Sequence, residues 1–341
     1  VIKGKDSSKE LIKLSNLNEI DLNTYSFLVS NQLQELIIFP TEQCNFRCVY
    51  CYEDFKMKQM SPDIVNSIKK FLENRVPEIK YLTINWFGGE PLLAKKVVID
   101  ISKYAQNLSK KYNALSYSST MTTNGYLLTP STFNNLVEVG ITEYQISLDG
   151  PKDIHNLTRI KANGSGSFET IWKNLLSIKQ SNHSNVKIIL RIHLTNENLP
   201  YMKDFMLELK KHFVNDSRFT VFLKPVAKLG GLNDENLDLI NSSDRVSIIQ
   251  QLEAILYEDS QRLETNTQPN ICYAARPNSI AIRSDGSLAK CTVALQDERN
   301  SIGNINPDGT LNIIQERLAP WLRGLTTLDR LDLSCPKQKL S

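Results

Sequence analysis

Short runs rich in β-branched and aromatic residues recur along the chain at residues 36–39, 81–87, 117–123, 143–148, 187–194 and 219–223. Between them, residues 61–76, 95–112, 130–139, 168–180 and 199–213 place apolar positions at helical spacing, with polar residues between. Six strands alternating with helices predict a mostly parallel sheet with right-handed crossovers, an α/β fold of partial (β/α)6 TIM-barrel type. The expected strands run into polar or glycine-rich residues: TEQC, GGEP, TNG, SLDG and TNEN. Parallel α/β folds build their ligand sites at the carboxyl ends of the strands, so these residues fall where a site is expected.

Beyond residue 228 the pattern changes. Residues 229–268 are polar and then helical over 244–259, the signature of a connector. From Ile271 onward short strands are separated by turns: 279–283, the Asp285-Gly286 turn, 287–290, then GNI and PDG. That is a small β-hairpin module over 269–341, not another βα unit. Residues 1–35 contain a hairpin-like stretch, an expected peptide-binding strand edge ahead of the barrel at 36–228.

Composition narrows the class. The chain is 41% hydrophobic and 23% charged, with no apolar run near the ~20 residues a membrane span needs. Its start, VIKGKDSSKELIKL, has no signal-peptide core, which predicts a cytoplasmic protein; that it begins with Val, not Met, is consistent with a segment upstream. A net charge of +3, with lysines scattered as in Lys69-Lys70, Lys95-Lys96 and Lys110-Lys111, does not describe a nucleic-acid surface. Six cysteines in such a chain point to metal binding or catalysis instead of a disulfide framework.

Three of the six stand together, as Cys44, Cys48 and Cys51 in CNFRCVYC, directly after the first strand. Three thiolates on one tight loop can hold three irons of a cubane and leave the fourth iron open for a substrate. Zinc normally takes a fourth Cys or His at characteristic spacing, and the nearest histidine is His155. The spacing alone leaves zinc or an inert structural role open.

C-x3-C-x2-C with an aromatic, Tyr50, before the last cysteine resembles the signature of radical S-adenosylmethionine (radical SAM) enzymes. The resemblance continues at later strand ends, through Gly88-Gly89-Glu90-Pro91, Met121-Thr122-Thr123-Asn124-Gly125, Ser147-Leu148-Asp149-Gly150-Pro151 and Arg191-Ile192-His193-Leu194. It implies a catalytic [4Fe–4S] cluster on Cys44, Cys48 and Cys51, whose open iron binds S-adenosylmethionine (SAM). By the same resemblance Gly88 and Gly89 let the backbone approach the ligand, Glu90 accepts a hydrogen bond from the SAM amino group, Thr123 and Asn124 add polar contacts, and Ser147 lies near the ribose. Arg159 would meet the methionine carboxylate and the backbone at Leu194 the adenine. Each piece has a plainer reading: GGEP as a helix-entry turn, Asn-Gly and Asp-Gly as turn dipeptides, His155 as a local hydrogen-bonding residue, Arg159 as a surface ion pair. Their joint order along the chain is what favours the radical SAM reading.

Cys272 and Cys291 frame C-x13-G-x4-C around Gly286, which resembles the opening of a SPASM extension carrying an auxiliary [4Fe–4S] cluster. Ile302-Gly303-Asn304-Ile305 also resembles that extension, and SLDGPKDIH-x3-R followed by GSGSFETI is similar to anaerobic sulfatase-maturating enzymes and peptide-modifying SPASM maturases. The tail departs from the pattern, because Gln338 stands where a cysteine follows in a full SPASM domain. Either the chain is truncated or it carries a smaller, twitch-like module with one auxiliary cluster. Cys335 would join Cys272 and Cys291 only by folding back to the hairpin; otherwise it is an unengaged thiol.

The resemblance implies a macromolecular substrate, namely a ribosomally made precursor peptide with a leader, and an electron donor such as flavodoxin or ferredoxin. The leading expectation is a maturase that forms a thioether or carbon–carbon crosslink. The alternatives are a sulfatase-type maturase that makes formylglycine, with Asp285 and Asp297 near the auxiliary module, and a non-catalytic metal-binding scaffold.

Overall fold

The computed structural model describes residues 22–257 and 271–339. Helix α1 (Leu22–Val29) leads into β1 (Leu33–Ile38), β2 (Phe46–Cys48), α2 (Pro62–Arg75) and β3 (Tyr81–Trp86). Next come α3 (Lys95–Lys111), β4 (Ser116–Thr123), α4 (Pro130–Glu138), β5 (Ile141–Leu148), α5 (Lys152–Thr158) and β6 (Arg159–Lys161). The chain continues through α6 (Phe168–Lys179), β7 (Lys187–Leu194), α7 (Leu199–Leu209), β8 (Phe219–Pro225) and α8 (Arg245–Leu256). After residue 270 follow β9 (Ser279–Ile282), β10 (Ser287–Ala289), β11 (Ser301–Ile305), β12 (Leu311–Ile313), α9 (Gln315–Leu322) and α10 (Arg330–Ser334).

Local chemistry starts these elements where the pattern puts them. Pro62 takes the first helical position of α2, and the Ser61 side chain accepts the Ile64 N–H at 3.4 Å. Val65, Ile68 and Leu72 then face the core, each fully buried aliphatic contributing about 1.5–3 kcal/mol. α4 repeats the device with Thr129 and Pro130.

One ten-stranded sheet runs in the order β12-β11-β10-β9-β1-β3-β4-β5-β7-β8, and it is open, with β8 and β12 at its ends. The expected six strands are the parallel set β1, β3, β4, β5, β7 and β8. On the other side of β1, β9 also pairs parallel, and antiparallel pairing carries the sheet on through β10, β11 and β12. The C-terminal hairpin therefore extends the same sheet. No helix among the described residues is long and apolar enough to cross a membrane.

β1 begins three residues before its apolar run, because its polar residues have partners. Glu35 accepts from Asn85 Nδ2 at 2.8 Å and pairs with Arg276 at 3.3 Å, and Gln34 Nε2 donates to the Asn278 carbonyl at 3.0 Å. β3 pairs with residues 33–38 and β9 with residues 35–38, so β1 is flanked by strands on both sides from Glu35 onward. Residues 22–29 are helical, and the rest of the stretch expected to hold a hairpin, 1–21, lies outside the described residues.

Candidate functional site

The three clustered cysteines occupy the segment that leaves the carboxyl end of β1. Cys48 ends β2, and a turn closed by Cys51 N–H to the Cys48 carbonyl at 3.0 Å brings Cys51 back beside it. β2 pairs antiparallel with β6, setting Cys48 opposite Arg159. The Gly88-Gly89-Glu90 turn after β3 grips the loop from the other side. A Cβ on Gly88 would strike the Thr41 carbonyl and one on Gly89 the Gln43 carbonyl, while Glu90 N–H donates to that same Gln43 oxygen at 3.0 Å. The close backbone approach that requires these glycines is thus to the cysteine loop itself. From β4, Asn124 Nδ2 donates to Asn45 Oδ1 at 2.7 Å, and Asn233 Nδ2 donates to the Val49 carbonyl at 3.1 Å.

Glu90 is fully buried and ties two strand ends together. Its carboxylate accepts from Thr123 Oγ1 at 2.8 Å, Asn124 N–H at 2.7 Å and Leu92 N–H at 3.0 Å. Burial pushes its carboxyl up from the ordinary range, and these three donors oppose the rise. They leave acceptor capacity on Oε2.

Behind the loop a second network centres on Tyr50. Arg159 Nη1 donates to the Tyr50 hydroxyl at 2.7 Å, the hydroxyl lies 2.9 Å from both Asp149 carboxylate oxygens, and His193 Nδ1 is 3.0 Å from it. Asp149 also accepts from Thr158 Oγ1 at 2.7 Å and lies 3.1 Å from His193 Nδ1. Burial alone would raise the Asp149 carboxyl, yet the His193 hydrogen bond and the Arg159 charge hold it well below the carboxylate range. The chain thereby fixes Arg159 against Cys48 from one side and against Tyr50 from the other. Arg159 Nε remains buried with no hydrogen-bond partner.

His155 stays local: Asp149 N–H donates to its Nδ1 at 3.4 Å, and its Nε2 lies 3.0 Å from Ser167 Oγ. Ser147 sits one strand over from Arg191 in register, and the Leu194 carbonyl accepts the Val226 N–H at 2.9 Å.

The C-terminal cysteines are gathered differently. Cys272 N–H donates to the Leu333 carbonyl at 2.8 Å, which folds the Cys335 segment back onto the start of the module. The Cys272 thiol is raised by burial, and it senses both Cys291 and Cys335. Cys291 is held by Asn300, which is buried and fully bonded. Its Oδ1 accepts the Lys290 and Cys291 N–H groups at 3.0 and 2.8 Å, and its Nδ2 donates to the Cys291 and Ala294 carbonyls at 2.7 and 2.9 Å. Asp285 and Asp297 are both engaged, Asp285 by the Ser287 N–H and hydroxyl and Asp297 by an ion pair to Arg299 at 2.7 Å.

The two regions meet at a cavity of about 290 Å³, lined by Tyr52, Leu229, Gly230, the 293–297 segment and Lys337. Tyr52 follows Cys51, and its phenol is raised by burial and by the charges of Glu53, Tyr273, Cys51 and Cys291.

A family model described as the radical SAM superfamily matches residues 38–209, half of the chain. The chain belongs to the radical SAM superfamily. It is similar to the cysteine-type anaerobic sulfatase-maturating enzyme of Clostridium novyi, 26% identical over 290 residues that span 78% of this chain and 75% of that one. Two solved structures share its fold. The structure of anSMEcpe with bound AdoMet and the Cp18Cys peptide is 21% identical at a TM-score of 0.65, covering 84% of this chain and 80% of that one. Streptococcus suis SuiB bound to its precursor peptide SuiA is 15% identical at a TM-score of 0.60, covering 96% and 74%.

Membership of the radical SAM superfamily implies a [4Fe–4S] cluster and SAM, and the residues present fit them. Cys44, Cys48 and Cys51 are free thiols on one short loop. Burial holds their protons on, Cys51 being pushed up to about 12, so binding soft metal would displace protons from three thiols at once. The unpaired Arg159 Nε beside Cys48 is a donor suited to a carboxylate such as that of SAM. Asp149, His193 and Asn300 were not assigned roles by sequence reasoning. A buried acid at a strand end was the available signal for Asp149; Asn300 carried none.

Proposed function

We propose that this radical SAM protein is a peptide maturase in which Cys44, Cys48 and Cys51 hold the catalytic cluster and Cys272, Cys291 and Cys335 hold an auxiliary one. When bound, the reduced cluster and SAM together supply a 5′-deoxyadenosyl radical that removes a hydrogen atom from a substrate carbon. The chain's own residues supply position. Gly88, Gly89 and Glu90 fix the cysteine loop, while Tyr50 and Asp149 orient Arg159 toward a carboxylate beside Cys48. Tyr52 and the 293–297 segment wall the approach between the two cysteine sets.

The observation that carries this reading is that shared cavity, bounded by the residue after Cys51 and by the segment just past Cys291. A peptide held there would lie against the residue that follows Cys51 and the segment that follows Cys291. The peptides bound by the two fold relatives, Cp18Cys and SuiA, support the same substrate class. Formylglycine formation is the second reading, favoured by the likeness to the Clostridium novyi enzyme. Against it, Asp285 and Asp297 are already engaged and neither is a free base.

Anaerobically reconstituted protein, incubated with SAM, dithionite and the small peptides encoded beside its gene, tests the proposal. A crosslink removes two hydrogens from the peptide, whereas formylglycine replaces a cysteine thiol with an aldehyde oxygen. Release of 5′-deoxyadenosine that no peptide alters would overturn the maturase reading.

A further inference from the structure

We propose that Arg191, with Lys224 on the neighbouring strand, binds a carboxylate carried by the peptide substrate; this rests on the maturase reading above. Along β7, Ile188, Leu190, Ile192 and Leu194 are fully buried in the core, so Lys187, Ile189, Arg191 and His193 share the opposite face. His193 on that face reaches Tyr50 and Asp149, which sets Arg191 two residues deeper on the same side of the sheet as the cysteine loop. In register, Arg191 stands between Ser147 on β5 and Phe222 on β8, and His193 stands beside Lys224.

Arg191 has no anion to answer it. Its Nε is buried without a hydrogen-bond partner, and among the described residues neither Arg191 nor Lys224 forms an ion pair. Lower on the same face Lys187 does have a partner, Glu143 at 3.2 Å. The acid that Arg191 senses, Asp149, is engaged by Tyr50, Thr158 and His193. Burial pushes the Arg191 guanidinium down from its ordinary value and the Arg159 charge adds to this; Lys224 is pushed down by burial and by Arg191 and Arg245. The end of the sheet at β7 and β8 thus gathers cationic groups around one acid that is already bonded.

Holding a partly buried cation without a partner is destabilising, a cost that a bound anion offsets. A guanidinium takes a carboxylate in a planar, two-point contact, and a lysine on the next strand adds a second charge. On a peptide that carboxylate is an Asp or Glu side chain or the C-terminus.

The test uses reconstituted holoenzyme with SAM, equilibrated with randomised short peptides in two forms, free acid and C-terminal amide. Bound peptides are sequenced for the parent protein, Arg191→Gln, Arg191→Lys and Lys224→Gln. The expected result is retention of Asp and Glu over Asn and Gln by about tenfold in the amide set, or of acids over amides by the same factor. Arg191→Gln should erase the preference, Arg191→Lys keep part of it and Lys224→Gln reduce it. Lys224 is exposed, so its variant keeps the test valid if Arg191→Gln fails to fold.

Selection unchanged in Lys224→Gln and Arg191→Gln overturns the site. So does a loss in Arg191→Gln of SAM affinity alone, which would assign the anion to SAM. Peptides that are retained without acidic preference, yet alter 5′-deoxyadenosine release, overturn the carboxylate site and leave the maturase reading standing. If no peptide is retained, both fall.

Discussion

The two cysteine regions are held by opposite means. Cys44, Cys48 and Cys51 lie within eight residues of sequence, and the chain needs only to hold their loop still. It does so through backbone-to-backbone packing at Gly88 and Gly89 and through the buried Glu90 and Tyr50 networks. Cys272, Cys291 and Cys335, proposed above as a second ligand set, come from three distant places: the Cys272–Leu333 hydrogen bond ties the first to the segment before Cys335, and Asn300 braces the Cys291 backbone. A ligand set written into local spacing tolerates little change in its seat. One assembled by tertiary clamps stands or falls with those clamps.

The largest contrast is expected from the thiols themselves. Alanine at Cys44, Cys48 or Cys51 should abolish dithionite-driven 5′-deoxyadenosine release. Alanine at Cys272 or Cys291 should leave that release within about tenfold, while iron falls from about eight to about four per chain. Equal loss from both sets, measured by iron assay and product chromatography, would break the contrast.

Glycine substitutions sharpen it at the level of stability. Gly89→Ala forces a Cβ into the Gln43 carbonyl and should cost more than about 3 kcal/mol in urea melts. Gly286→Ala meets only side-chain atoms of Ile305 and Ile64, at 3.3 and 3.4 Å, and bears the strain of φ +84°; about 1–2 kcal/mol is expected. Asn300→Ala leaves the Lys290 and Cys291 N–H groups without their acceptor, at about 2–3 kcal/mol, and should lower iron without touching the first cluster.

The last effect is one of pH, seen only as the medium is acidified, and belongs to the first region. His155 is held neutral by burial, its value pushed down to about 3. The unfolded chain binds the extra proton first, so stability present above about pH 6.5 is lost as pH falls from there toward 3. Relative to His155→Gln, the parent should lose about 2 kcal/mol between pH 7 and 5, read from thermal melts.

Much of this was legible in the chain, and the limits have physical causes. The parallel strands stood out because alternation and β-branched residues mark a half-buried strand; β7 matches its run at both ends. β1 reads shorter in the sequence than it is, because Gln34 and Glu35 look like loop residues until Asn85, Arg276 and Asn278 are seen to answer them. The β2–β6 pair and the β9–β1 pairing join residues too far apart in sequence for any window to register. Spacing and motif order pointed to the cysteine loop. The Tyr50 hydroxyl as a hub and Asn300 as a clamp depend on orientation, which no spacing records.

The β1–β9 pairing also has a consequence for how the protein is made. Glu35 N–H bonds to the Asn278 carbonyl at 2.8 Å, so the first strand finds its second neighbour only after more than two hundred further residues have been translated. At about 5–20 residues per second, a nascent chain carries that strand with one open flank for on the order of ten to fifty seconds. During this interval the cysteine loop is already outside the ribosome while its C-terminal wall does not yet exist. The loop and the strand that closes the sheet beside it are thus made at different times, separated by the synthesis of the intervening chain.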